Sequence, residues 1–210
     1  MKHTLSALLI VLSSMIFGQK DHILRFFPLN LFDPLNPAFS IGYEGILNEH
    51  YSFLFCPSVL FPSAVEDLYG PGYRVRFEGR KYLSDINFKR HNTFLGIEGL
   101  YLSKTFKGVY SYISSDSLTI GGGSYLDSIT VSKEIYGINF KIGYQYSMHR
   151  WLFNVYAGLG IKLKDISHIG RLALDDKLFN IHFEQIFILD NPGRYWILNI
   201  PISVSVGYRF

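Results

Sequence analysis

The chain has 210 residues, a formal net charge of +3, 18% charged and 17% aromatic residues, and a mean hydropathy of +0.15. That charge balance excludes a nucleic-acid footprint, which needs a strongly basic face, and the single cysteine, Cys56, excludes an internal disulfide. Beyond the N-terminus no apolar run reaches the ~20 residues of a membrane helix, so the hydrophobicity must be spread by alternation.

The first element is a leader. MKHTLSALLIVLSSMIFGQK opens with Lys2 and His3, runs apolar from Leu5 to Phe17, then turns small and polar. That order predicts a secretory signal peptide over residues 1–18 and a mature domain over 19–210. Removing the leader removes Lys2 and no acid, which brings the formal charge to +2.

Eight period-two stretches follow. The first is placed in HILRFFPLNLF, about residues 22–32, because the strand count and topology require it. In AFSIGYEGIL, Phe39, Ile41 and Tyr43 alternate with Ser40, Gly42 and Glu44. The third, Tyr51 to Phe61, is apolar on both faces, and Pro57 is expected to mark a bulge. The fourth, Tyr73 to Leu83, sets Tyr73, Val75 and Phe77 against Arg74, Arg76, Glu78 and Arg80. The fifth, TFLGIEGLYLSK, sets Leu95, Ile97 and Tyr101 against Gly96, Glu98 and Lys104. The sixth, IYGINFKIGYQY, alternates Tyr136, Ile138, Phe140, Ile142, Tyr144 and Tyr146 with Gly137, Asn139, Lys141, Gly143 and Gln145. The seventh, WLFNVYAGLGIKLK, puts Asn154, Tyr156, Gly158, Gly160, Lys162 and Lys164 on its polar side. The eighth runs from Trp196 to Phe210 and ends SVSVGYRF.

Short polar turns at Asn48–His50, Ser84–Asn92 and Ser147–Arg150 alternate with longer connections at Pro62–Gly72, Thr105–Lys133 and Asp165–Arg194. Within these, TIGGGSYLDS reads as a flexible tip, and DDKLFNIHFEQIFIL as a short helix or a strand extension.

The apolar face is expected to point outward, into lipid. The opposite face mixes Gly, Ser and Asn with Arg, Lys and Glu, which suits a narrow closed interior and would be wasted on a soluble exterior. Tyr43, Tyr51, Tyr144, Tyr146, Trp151, Tyr208 and Phe210 lie beside the short turns or the C-terminus. Phe61, Tyr73, Tyr101, Tyr136 and Trp196 lie beside the long connections. Two aromatic girdles about 8–10 residues apart match a membrane strand. The predicted fold class is all-β: an eight-stranded antiparallel up-and-down transmembrane β-barrel with a filled polar interior. Short turns would face the periplasm and long loops the exterior.

Tyr208 and the final Phe210 resemble the C-terminal signal that engages the outer-membrane barrel assembly machinery, with Ser205 standing where that signal commonly carries glycine. The whole mature chain looks like the small eight-stranded OmpA/OmpX-like barrels. More narrowly, DPLNPAFSIGYEGIL and YSF, with the terminal VGYRF, are similar to uncharacterised outer-membrane barrels of Bacteroidota. The resemblance implies an eight-stranded fold in the bacterial outer membrane and supplies no agreed activity.

Inward charges form two sets. Glu44, Glu78, Glu98, Arg80, Lys141 and Arg209 are expected to pair in a salt-bridged plug, because unpaired charges there would cost several kcal/mol each. A proton or ion path, and with it a narrow channel, is the alternative. Arg74, Arg76, Lys104, Lys162 and Lys164 lie nearer the outer rim with no inward acid at that height. Such a collar suits lipopolysaccharide phosphates or another anion, unless loop acids such as Glu66, Asp67, Asp175 and Asp176 fold over it.

A lipid A-modifying hydrolase is the competing class. It would need His, Ser and an acid together, and the candidates are Ser167 with His168 and His182 with Glu184. Neighbouring Ser and His on a strand point to opposite faces. His22, His50, His91, His149, His168 and His182 have no metal-ligand spacing, so no metal and no cofactor is expected. The expected role is therefore non-catalytic: structural, adhesive, or that of an accessory subunit in a larger outer-membrane complex. The expected partners are outer-membrane lipid and other outer-membrane proteins.

Overall fold

The computed structural model describes residues 22–34, 36–61, 70–86, 90–113, 124–172, 177–178 and 191–210. The leader assigned to residues 1–18, the His182–Glu184 pair and the four loop acids lie outside the described residues. Among the described residues are ten strands. They are β1 His22–Phe26, β2 Ala38–Ile46, β3 Tyr51–Leu60, β4 Gly72–Tyr82, β5 His91–Ile113, β6 Ser124–Met148, β7 Trp151–Ile169, β8 Lys177–Leu178, β9 Gly193–Asn199 and β10 Ile202–Arg209.

Each barrel strand runs antiparallel to its sequence neighbour, and β10 pairs with both β7 and β1, so the sheet closes on itself. β9 and β10 lie along β7 in one register, with Asn199 opposite Gly160 and Ile202 opposite Ala157. They are one stave interrupted at Ile200–Pro201, where proline lacks the amide hydrogen a ladder needs. The result is an eight-stave, up-and-down barrel, with β8 paired to β5 off this path.

Alternation decides which face is inside, and its sense is inverted. On β6, Phe140 is 63% exposed and the next residue, Lys141, is 4% exposed. Along the same strand Tyr136, Ile138, Ile142 and Tyr144 point out, while Asn139 and Gln145 are buried. β10 repeats the pattern, with Ser203 and Ser205 buried and Ile202 and Tyr208 exposed.

The hairpins at one end are tight. Asn48 Oδ1 accepts from the amides of His50 and Tyr51, both at 2.9 Å. Between β6 and β7 the turn is His149–Arg150, and His149 takes the left-handed φ of 57° that two-residue hairpins demand. The Phe210 amide closes this end by donating to the His22 carbonyl at 3.1 Å.

Four expectations from sequence are corrected. The segment 22–32 is strand only over His22–Phe26; Phe27 then turns inward, and Pro28–Phe32 forms a 3-10 helix with proline in its first turn. Proline fixes φ and lacks the donor that would have continued the β1 ladder. Pro57 makes no bulge: Ser40 opposite Ser58 and Tyr43 opposite Phe55 share one register, and the ladder to β4 runs through Pro57 opposite Val75.

The Thr105–Lys133 connection is also largely strand. β5 and β6 run for 23 and 25 residues, paired from His91 and Tyr146 to Ile113 and Ser124. With β7 they form a blade beyond the barrel mouth. Phe106, Tyr112, Ile129, Val131 and Ile166 bury a second apolar cluster on its inner side, and that burial stabilises the extension. The residues read as a flexible tip are strand from Ser124 onward, and Lys177–Leu178 in the next connection pair with β5; the rest of both stretches lies outside the described residues.

Candidate functional site in the barrel lumen

The lumen holds one connected ionic web. Its hub is Glu44 on β2. One oxygen accepts from the Ser52 hydroxyl at 2.5 Å and the Tyr82 hydroxyl at 2.8 Å; the other accepts from Arg25 Nε and lies 3.3 Å from Arg80 Nη1. Arg25 also donates to Gln145 Oε1 at 2.9 Å. Arg80 Nε donates to Glu78 at 2.7 Å, and Lys141 Nζ donates to Glu78 at 2.9 Å and to Glu98. Glu98 accepts further from Asn139 at 2.8 Å and lies 3.8 Å from Arg76. Every charge here is buried and multiply partnered, the condition under which buried ions are tolerable.

Apolar groups pack round this web. Ile23, Phe27, Leu54, Cys56, Tyr82, Phe94, Leu152 and Tyr156 form one buried cluster inside the barrel. The Arg80 guanidinium lies 4.6 Å from the Phe94 ring centre, the Arg76 guanidinium 4.5 Å from that of Phe27, and Lys141 Nζ 4.2 Å from that of Tyr156. Cation–π contact of this kind is strongest where water is excluded. Phe94 fits only because position 143 is glycine: a Cβ there would lie 2.2 Å from the ring.

Above the web, on the blade side, is a polar cavity of about 210 Å³. Asn30 and Asp33 border it from the 3-10 helix and its end, Arg74, Arg76 and Lys162 from the barrel wall, and Asn199–Ser203 from the break in the eighth stave. With its amide oxygen turned to the guanidiniums, Asn30 accepts from Arg74 and Arg76, each at 3.2 Å. Arg74 lies 3.8 Å from Asp33, and Arg76 Nη1 donates to the Tyr156 hydroxyl at 3.1 Å.

The structure thus brings together Glu44, Glu78, Glu98, Arg80 and Lys141; Arg209 is half-buried at the hairpin end and belongs to none of these pairs. Of the collar residues, Arg74, Arg76 and Lys162 line the cavity, while Lys104 and Lys164 do not. Acids do stand at that height, Asp33 beside Arg74 and Glu98 beside Arg76, because the chain after β1 folds into the lumen.

Sequence reasoning missed Arg25, Asn30, Asp33, Ser52 and Tyr82. Arg25 sits in HILRFF, where Ile23 and Phe27 point inward with it, so no alternation marks the face. The lone cation in an apolar run was its only signal.

Outside, an apolar band lies between aromatic rings. Tyr73, Tyr101 and Tyr136 contact in series at 5.8 and 5.0 Å on the blade side, and Trp151 meets Tyr208 at 5.3 Å on the hairpin side. The outward face changes character sharply at the upper ring. The Tyr101–Tyr136 pair is followed by Ser103–Glu134, and the blade's outer face continues with Thr105, Lys107, Ser128, Thr130 and Ser132. Glu134 accepts from the hydroxyls of Tyr101 at 3.2 Å and Tyr136 at 2.9 Å.

Ser167 lies on the exposed side of β7, while His168 points the other way and meets the Tyr112 hydroxyl through Nδ1 at 2.8 Å. Burial raises the Tyr112 phenol above its usual pKa.

A closed eight-stave antiparallel barrel with ion pairs in its lumen and an apolar exterior defines the class of this protein. No protein-family model, no curated protein and no solved structure matches the chain.

Proposed function

We propose that this is an integral outer-membrane β-barrel protein of the OmpA/OmpX-like kind, non-catalytic, with its lumen plugged and its work done by the wall and the blade. One observation carries the reading: the barrel hides its ions and shows its hydrocarbon. A barrel in water would lose the hydrophobic free energy of Phe77, Ile97, Ile138, Phe140, Ile142 and Leu159, all more than half exposed. In hydrocarbon the same faces cost nothing, and closure leaves the spanning ladders satisfied. Nine residues from Tyr136 to Tyr144 fit the ~9–11 of a membrane strand.

In this orientation the hairpin end faces the periplasm and the blade stands outside the cell. The blade supports an adhesive or accessory-subunit role. Its Ser/Thr-rich outer face suits water, and the exposed Val109, Leu126 and Ile169 on it offer apolar contact to another outer-membrane protein. Lipopolysaccharide and the barrel assembly machinery are the remaining partners of this reading.

The test is expression with the leader, followed by fractionation. The protein should sediment with outer membranes, resist extraction by alkaline carbonate, and run faster on gels when unheated. Recovery in the soluble periplasmic fraction as a folded monomer would overturn the reading.

A further inference from the structure

We propose that the cavity behind the 3-10 helix is an anion site that takes a phosphate group, presented by a lipid headgroup or free in solution. The argument starts from charge. The paired lumenal groups carry five cations, Arg25, Arg74, Arg76, Arg80 and Lys141, against four acids, Asp33, Glu44, Glu78 and Glu98, and Lys162 on the cavity wall adds a sixth cation. The excess is concentrated at the cavity. Glu98 is already bound by Lys141 and Asn139. Asp33 reaches Arg74 only at 3.8 Å and is itself one-third exposed. Among the described residues Lys162 makes no hydrogen bond or ion pair, although it stands half-buried on the cavity wall.

Unused donors point the same way. Arg74 and Arg76 are both buried residues, and the Nε of each has no hydrogen-bond partner among the described residues. A buried guanidinium N–H left unmade is costly, and a tetrahedral oxyanion satisfies several such donors at once through charge-assisted hydrogen bonds. Two arginines and a lysine around one space match a phosphate better than a carboxylate, which offers two oxygens instead of three.

Space is also provided. At about 210 Å³ the cavity is large enough to admit a phosphate group. The far wall is the interrupted stretch at Ile200–Pro201, where Leu198, Ile200 and Ile202 are exposed on the outward face. The basic cavity therefore lies directly behind an apolar outer surface. A lipid with its headgroup inside and its chains along that surface matches both chemistries. The lipid-borne source rests on the barrel lying in a membrane; the anion site itself does not.

The test uses the full mature chain folded in dodecyl maltoside, with Lys162→Gln and Lys162→Glu as variants and faster unheated gel migration as the check of folding. Titration calorimetry is run with inorganic pyrophosphate in one arm and dioctanoyl phosphatidic acid in the other, with dioctanoylglycerol as the uncharged control. Wild type should bind at least one anion saturably and ignore the control. Lys162→Gln should weaken binding about tenfold or more. Lys162→Glu should abolish it while raising thermal stability, because the new carboxylate occupies the place of the ligand beside Arg74. Binding of phosphatidic acid alone supports the lipid source, and equal binding of pyrophosphate supports the free anion. Failure of folded wild type to bind either, or binding unchanged in both variants, overturns the site. Neither result bears on membrane residence, which fractionation reads separately.

Discussion

Glu78 and Glu98 stand directly opposite each other across the β4–β5 ladder, both buried, with the Lys141 ammonium from β6 donating to each. Directly opposed like charges destabilise a sheet. The arrangement holds because a third strand delivers the cation. Lys141→Met should therefore leave two buried carboxylates facing each other. The expected loss is about 3–5 kcal/mol, read as a lower urea midpoint for refolding in detergent. Adding Glu78→Gln and Glu98→Gln together should restore most of it. A single Lys141→Met variant as stable as wild type would contradict the web.

Gly143 and Gly79 give a matched pair. A methyl at 143 would meet the Phe94 ring at 2.2 Å, whereas at 79 it would meet nothing within 4 Å. Phe94 is pinned beneath Arg80, so it has little room to yield. Gly143→Ala should cost about 1–3 kcal/mol, and Gly79→Ala should stay within about 0.5 kcal/mol of wild type. Urea titrations of both, in one detergent, check the difference.

Phe140 lies midway between the aromatic rings on β6, and Ser128 lies on the outer face of the blade. Phe140→Arg should impair folding into phosphatidylcholine vesicles by about 2–4 kcal/mol. Ser128→Arg should have no measurable effect on the same assay, because that position faces water. Equal effects would mean that the apolar band is not where lipid lies.

The web and the buried aromatic cluster fill the lumen from Arg25 to Glu98. Wild-type protein in planar bilayers should therefore show no discrete conductance steps. Regular steps from purified, folded barrel would favour the channel reading over the plug.

Local alternation determined which side of β2, β4, β6, β7 and β10 faces out, because a period of two is written into successive residues and needs no knowledge of the partner strand, whereas β1 and β3, apolar on both sides, carry no such mark. Phe140 against Lys141, and Tyr208 against Gly207, could be sorted by inspection. Tertiary structure decided the rest. Arg25 reaches Gln145 across 120 residues of sequence, and Lys141 reaches Glu78 across 63. Those meetings depend on how each strand is staggered against the next and on closure between β1 and β10, which no single segment encodes. The same holds for the inward turn at Phe27, which carries Asn30 and Asp33 to Arg74 and Arg76. The blade is a further case. Thr105–Ile113 and Ser124–Lys133 read as loop because their outer side is polar, and they are strand because Phe106, Ile129 and Val131 find one another on the inner side. Side-chain direction is a property of the chain, whereas the choice of ionic partner is a property of the closed barrel.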